Sequence, residues 1–201
     1  MLIVRHGESE WNRAGRWQGW EDIALTPLGE AQARARGEEL AGAGHGFTAV
    51  HSSDLLRAAR TAALLADSLG AGPAIADPGL RERFGGQWQG RTGKEIDAQW
   101  PGVRDAWRRG ELAAPPGGEA DPVVLERIHV ALARIDSSNP PGPVLVVTHH
   151  GVVRLLSTHS GIAVTGIIPN LGGRWFDYDA SGLRAGEALA PLAPASEVTT
   201  E

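Results

Sequence analysis

Short apolar runs alternate along this chain with longer stretches of helix-forming residues, and several of the runs stop abruptly at polar chemistry. Leu2–Val4 is apolar and ends in Arg5-His6-Gly7-Glu8, a pattern expected of a buried strand feeding a polar loop. Thr26-Pro27 then supplies a helix cap followed by proline in the first turn, and strong helix formers fill Leu28 to about Leu40. Ala49-Val50-His51 predicts a second strand, and Asp54 to about Leu69 a second helix stopped by Gly70. Residues 71–90 read as irregular, residues 92–110 as one or two short helices, and Ala114 to Gly118 as a loop too short to link domains. Asp121-Pro122 repeats the cap-and-proline signal, after which Val124, Leu125, Ile128, Leu132 and Ile135 share one helical face. Val144–Val147 is the most apolar strand candidate and runs straight into Thr148-His149-His150-Gly151. Leu171 to Tyr178 predicts a late strand, and the Glu187–Glu201 tail is expected to be loose at its end. There is no internal repeat.

Strands alternating with helices imply an α/β fold with a mainly parallel sheet. In such sheets ligands bind beyond the carboxyl ends of the strands. That rule singles out Arg5-His6, the Ser52 to Arg57 segment, and His149. Composition narrows the chemistry further. The 201 residues suit one domain, and there is no cysteine, which excludes disulfides, cysteine nucleophiles and thiolate metal sites. A net charge of −5 argues against a nucleic-acid partner, and no run approaches a membrane span, so a cytoplasmic location is expected. Of the 19 basic residues all but Lys94 are arginine, which suits either a GC-rich coding bias or recognition of phosphate and carboxylate.

The densest polar set is Arg5, His6, Gly7, Glu8, Ser9, Trp11 and Asn12 at one strand end. A neutral imidazole is a competent nucleophile toward phosphorus, and an adjacent arginine can neutralise phosphate charge. Gly7 would let the backbone turn and approach a ligand. Leu2-Ile3-Val4-Arg5-His6-Gly7-Glu8-Ser9-Glu10-Trp11-Asn12 resembles the opening motif of the histidine phosphatase superfamily, the cofactor-dependent phosphoglycerate mutase-like enzymes. The similarity continues in order through Gly15–Gly19, Leu25–Ala33, Ser52–Ala58, Leu80–Arg83 with Gly86–Gly90, and Val146–His149.

The resemblance implies a three-layer α/β/α fold with a mainly parallel central sheet. It also implies one domain over 1–201 with a cap-like insertion at about 83–120. His6 would accept the phosphoryl group, Arg5, Arg57 and His149 would bind it, Asn12 would lie near it, and Glu82 would be the acid and base. A phosphoryl group in transfer spreads negative charge over three oxygens, so Arg5, Arg57 and a protonated His149 could supply the charge without a metal or cofactor. Bland readings stand beside these: Arg57 as a surface arginine, Glu82 as a salt-bridge partner of Arg81 or Arg83, His149 as a structural residue. Glu8 is the fallback acid.

Two positions depart from the family pattern. His150 stands where glycine is common, which makes it a candidate phosphate contact, and Gln89 stands where an acidic residue is usual. Arg104, Arg108 and Arg109 form a basic cluster that is either a solvated helix face or a lid reading a second anion, such as a carboxylate. Trp20 and Trp107 are either core residues or pocket walls. The expected function is hydrolysis of a small phosphomonoester, of sugar or glycerate phosphate type, with a small phosphorylated metabolite as partner and a homodimer left open. A phosphoglycerate mutase is the main alternative, the relatively short segment between Glu82 and His149 favouring the phosphatase. A phospho-ligand sensor and a metallohydrolase are further alternatives.

Overall fold

The computed structural model describes residues 1–179 and 182–192. Four strands lie where apolar runs predict them or nearby: β1 Leu2–Arg5, β2 Ala49–Ser52, β4 Val144–Thr148 and β5 Gly173–Asp179. Two more, β3 Ile75–Ala76 and β6 Gly182–Ala188, fall in segments that carry no strand pattern. The sheet order is β3-β2-β4-β1-β5-β6. The β3-β2, β2-β4 and β4-β1 pairings are parallel, and β1-β5 and β5-β6 are antiparallel.

Side-chain alternation along the central strands builds a core on each face. Ile3, Val144 and Val146 pack with Val124, Ile128, Leu132 and Ile135 of α6 (Asp121–Ser138) and with Val152, Val153 and Leu156 of α7 (His150–His159). Leu2, Val4, Val50, Leu145 and Val147 face the other way, against Ala58, Ala62 and Leu65 of α3 (Leu56–Leu69) and Leu40 of α2 (Pro27–Gly42). The result is the expected three-layer arrangement. Each buried aliphatic side chain contributes about 1.5–3 kcal/mol.

The helix boundaries show what the pattern misses. In α2 the buried positions are Gly29, Ala33, Arg36, Gly37 and Leu40, so the inward face is made mostly of small residues that let α3 come close. A Cβ on Gly37 would lie 2.6 Å from that of Ser68. α3 starts at Leu56, two residues later than Asp54: Leu55 is extended, the Leu56 N–H donates to Asp22 Oδ1 at 2.6 Å, and the Asp54 carboxylate is paired with Arg81. It ends, as expected, on Gly70 in the left-handed conformation (φ 61°). At α6 the cap position is Ala120, and the Asp121 carboxylate pairs with Arg83. Two short helices, α4 (Gly93–Gln99) and α5 (Val103–Arg108), occupy the 92–110 stretch. The short helix α1 (Glu10–Arg13) follows the first motif. Glu187 and Ala188 belong to β6, whereas the end of the predicted loose tail lies outside the described residues.

Candidate active site

The parallel strands deliver the candidate residues to one edge of the sheet. His6 follows β1, Arg57 lies in the first turn of α3 after β2, Glu82 follows β3 and a 3₁₀ turn at Pro78–Leu80, and His149 follows β4. His6 N–H donates to Thr148 O at 2.9 Å, and Thr148 Oγ1 donates to Leu80 O at 2.7 Å, so neighbouring strand ends are stitched together.

His6 is almost completely buried. Its Nδ1 lies 2.7 Å from the Gly7 carbonyl oxygen, which can only accept, so Nδ1 carries the proton. The Nε2 lone pair therefore points to the other side, where it accepts Arg57 Nε–H at 3.2 Å. Burial, reinforced by the Arg57 and Arg5 charges, holds the imidazole well below its ordinary pKa. His6 is thus a neutral base of defined tautomer.

Arg57 is fully buried, and its Nη1 and Nη2 donate to Glu21 O and Gly19 O, both at 2.8 Å. The surface reading of this arginine fails. Arg5 is anchored by Nη1 on Ile168 O at 2.6 Å, while its Nε is buried without a hydrogen-bond partner. Burial pulls both guanidinium pKa values down to about 10, opposed by the Glu82 carboxylate, and both stay charged at neutral pH.

The His149 ring sits edge-on to His6, with centroids 5.2 Å apart, and both its nitrogens are buried without a partner. The protein's own groups disfavour the protonated His149 expected beside a phosphoryl group. Burial first, and then the Arg57 charge, keep it well below its ordinary pKa. A dianion beside it would oppose both effects.

Glu82 Oε2 accepts Gly151 N–H at 3.0 Å, at the N-terminal end of α7, and Oε1 accepts Arg83 N–H at 2.8 Å. A Cβ on Gly151 would strike this carboxylate. The bland alternative, a salt bridge to Arg81 or Arg83, is not formed: Arg81 pairs with Asp54 and Arg83 with Asp121. Glu8, the fallback acid, accepts the Thr26 hydroxyl at 2.8 Å at the start of α2.

Other candidates have different surroundings. Asn12 closes a capping box with Ser9, and its Oδ1 also accepts Asn170 Nδ2 at 3.3 Å, which leaves its own Nδ2 as donor. Gly7 does not offer its amide to a ligand here, because that N–H donates to Thr61 Oγ1 at 3.0 Å. Packing demands its missing side chain, since a Cβ would lie 2.5 Å from Gly29 O. His150 is the first residue of α7 and accepts Ile168 N–H on Nδ1 at 3.2 Å, so its neutral form donates from Nε2. Burial lowers its pKa, with Glu82 opposing and Arg5 adding.

The basic cluster does not join this set. Arg104 pairs with Asp97, Arg108 with Asp105 at 3.5 Å and Arg109 with Glu111 at 2.6 Å, the last two pairs on exposed surface. These are the pairs of a solvated helix face. Trp107 packs edge-to-face with Trp17 and Trp88 at 5.5 Å from each, whereas Trp20 donates from Nε1 to Glu82 O at 2.6 Å. Gln89 uses Oε1 to accept Trp20 N–H at 2.9 Å and Gly85 N–H at 3.1 Å, two bonds that a carboxylate would also make. Asn170 escapes a reading of the sequence, yet its Nδ2 donates to His6 O at 2.9 Å. No periodicity or motif marks it.

Buried neutral histidines make stability depend on pH. An unfolded chain protonates His6 and His149 near pH 6.5 while the folded chain does not, so stability falls as pH drops below that value. Between pH 7.5 and 5.5 the two together should cost roughly 3 kcal/mol. Urea unfolding at both values checks this, with a His6→Asn/His149→Asn variant expected to lose less than the wild type. An equal loss in the variant would assign the acid sensitivity elsewhere.

Among the described residues no helix is long and apolar enough to cross a membrane, and no group of three or more His, Asp or Glu side chains is placed to hold a metal ion. Comparison with known proteins gives a consistent picture. A glucosyl-3-phosphoglycerate phosphatase from Mycolicibacterium vanbaalenii is 38% identical over 164 residues, covering 78% of this chain and 72% of the phosphatase. A 2,3-bisphosphoglycerate-dependent phosphoglycerate mutase from Methylobacterium radiotolerans is 42% identical over 123 residues, 60% of this chain; the match spans only 58% of the mutase. The solved structure of a mycobacterial glucosyl-3-phosphoglycerate phosphatase in complex with VO3 superposes with a TM-score of 0.80 at 32% identity, covering 96% of this chain and 99% of the other. Residues 1–167 match the family model for branch 1 of the histidine phosphatases, and the chain belongs to the histidine phosphatase superfamily.

Proposed function

We propose that this protein is a metal-independent phosphatase that hydrolyses a small phosphomonoester, of sugar or glycerate phosphate type, through a phosphohistidine on His6. One observation supports this most: Arg5 Nε and both ring nitrogens of His149 are buried without protein partners beside a neutral, correctly oriented His6. Buried polar atoms are seldom left unpaired, and these fall together at the strand ends where a ligand is expected.

In this reading the His6 Nε2 lone pair attacks phosphorus while the bond to the leaving oxygen breaks. Arg5, Arg57 and His149 take up the charge on the three equatorial oxygens, with Asn12 and His150 contributing donors. Glu82, in its acid form, gives its proton to the departing oxygen. As a carboxylate it then removes a proton from water, whose oxygen attacks phosphorus and displaces His6. Inorganic phosphate leaves, and the acid is restored. The 83–120 segment is the cap of this site, and its Arg108 and Arg109 would reach a second anion on the substrate only by exchanging Asp105 and Glu111 for it. A cytoplasmic location, where phosphorylated metabolites are found, belongs to the same reading.

A screen of phosphorylated metabolites with inorganic phosphate release as readout tests the proposal. Mutase activity, which the Methylobacterium relative makes the second reading, would instead require a bisphosphoglycerate primer and release no net phosphate. Within the phosphatase reading, Glu82→Gln should slow alkyl phosphates on the order of 10²–10³-fold and aryl phosphates less than about tenfold, because an aryl oxide leaves without a proton. Equal losses on both would move the acid role to another group.

A further inference from the structure

Glu82 approaches the site from a segment that belongs to neither a strand nor an α-helix. Two side chains from elsewhere hold it. Arg127, from α6, donates from Nη1 to Gly79 O at 3.0 Å and Arg81 O at 2.7 Å, and from Nη2 to Glu82 O at 2.8 Å. Its remaining bonds, from Nε at 3.0 Å and Nη2 at 2.8 Å, run to the two carboxylate oxygens of Glu119. All five N–H groups of this guanidinium are therefore used, three of them on the backbone carbonyls leading up to and including Glu82. Glu119 completes the frame from the far side, accepting Phe84 N–H at 2.7 Å, while its own carbonyl oxygen accepts Arg83 Nη1 at 2.8 Å.

The Arg127 and Glu119 side chains are only 19% and 14% exposed. Taking a pair of charges this far out of water is costly, and apolar packing would hold a loop as firmly. What a planar fork adds is placement: three bonds in fixed directions specify where the Gly79, Arg81 and Glu82 carbonyls lie, and two more fix Glu119 against them. The Arg127 charge also contributes to the lowered basicity of His149, which puts it within electrostatic reach of the phosphate pocket.

We propose that Arg127 and Glu119 are positioning residues for Glu82. They fix the main chain at 79–84 so that the carboxylate lies on the leaving-group side, and they govern proton delivery while leaving the attack by His6 unchanged. The inference rests on the reading of Glu82 as the acid, and its test separates the two.

The experiment compares kcat/KM for nitrophenyl phosphate and for an alkyl phosphate in the wild type, Glu82→Gln, Arg127→Lys and the double variant. Lysine keeps the charge but has three N–H groups and no fork. Arg127→Lys should lose about 30-fold or more on the alkyl phosphate and less than about threefold on the aryl phosphate, a part of the full acid contribution. The double variant should lose no more on the alkyl phosphate than Glu82→Gln alone, because Arg127 acts only through Glu82. If Arg127→Lys fails to fold, Glu119→Gln takes its place, with the same split expected at smaller amplitude. Equal losses on both substrates, or additive losses in the double variant, would overturn the inference and leave a purely structural clamp. Should Glu82→Gln itself spare the alkyl-to-aryl ratio, the acid reading fails and this inference fails with it. A split for Glu82→Gln without one for Arg127→Lys removes the positioning role alone.

Discussion

His6→Ala is expected to abolish phosphoenzyme formation and to lower turnover on the order of 10⁴-fold or more, the scale on which removal of an enzyme's nucleophile acts. The structure also says what the substitution should spare. His6 is neutral, its Nδ1–H is satisfied locally by Gly7 O, and the charge of the site resides in Arg5 and Arg57. Affinity for inorganic phosphate should therefore stay within about tenfold of the wild type, since the charge-assisted hydrogen bonds persist. Samples quenched in alkali, where the P–N bond survives, and analysed for phosphohistidine, together with phosphate titration, check both halves. A phosphoenzyme that persists in His6→Ala would place the nucleophile elsewhere, and intact turnover without it would remove the covalent mechanism altogether.

Arg57→Lys should cost about 10²–10³-fold in kcat/KM, comparable to losing one fixed donor at a developing oxyanion. Charge alone does not reproduce what the native side chain does. Its Nη groups lock onto Glu21 O and Gly19 O, which tie the loop before α2 to the pocket, while Nε addresses the nucleophile. A lysine ammonium cannot make these three bonds from one plane, and at a fully buried position the released carbonyls lose their partners. Arg57→Met, which also removes the charge, should in addition raise the His6 pKa toward its ordinary value, because Arg57 is the strongest of the charges that depress it. Titration of the imidazole by nitrogen NMR reads this directly. An unchanged His6 titration in Arg57→Met would leave burial and the Arg5 charge as the causes of its low basicity.

Much of this architecture is legible in the chain because strand ends and chemistry coincide. Leu2–Val4 and Val144–Val147 are apolar without interruption, as buried parallel strands must be, and each stops two residues short of a buried histidine, His6 or His149. The antiparallel edge is different. β6 contains two glycines and an exposed arginine and glutamate, and its pairing with β5 supplies an order that its own residues do not advertise. Roles that depend on distant partners are equally hidden. Nothing near Arg127 distinguishes it from Arg134, which pairs with Asp77 on the surface, until the fold lays one of them across the Glu82 segment. Arg108 and Arg109 are a further case: their clustering suits a solvated helix face and an anion-reading lid alike, and the fold adds that each has a carboxylate partner within three residues. Protonation of His149 was beyond reach for another reason, because the balance of burial against charge is a property of the assembled pocket.

The contact between Arg57 Nε–H and His6 Nε2 has a consequence for what this protein leaves alone. At rest the attacking electron pair is already engaged, so an uncharged electrophile, such as a carboxylic ester or an alkylating agent, meets a histidine with nothing to spare. A guest bearing negative oxygens competes for that Nε–H while Nη1 and Nη2 stay on Glu21 O and Gly19 O, and in doing so it frees the atom proposed to attack it. In the proposed reaction this resting contact would favour phosphoesters over neutral esters before any contact with the rest of the substrate is made.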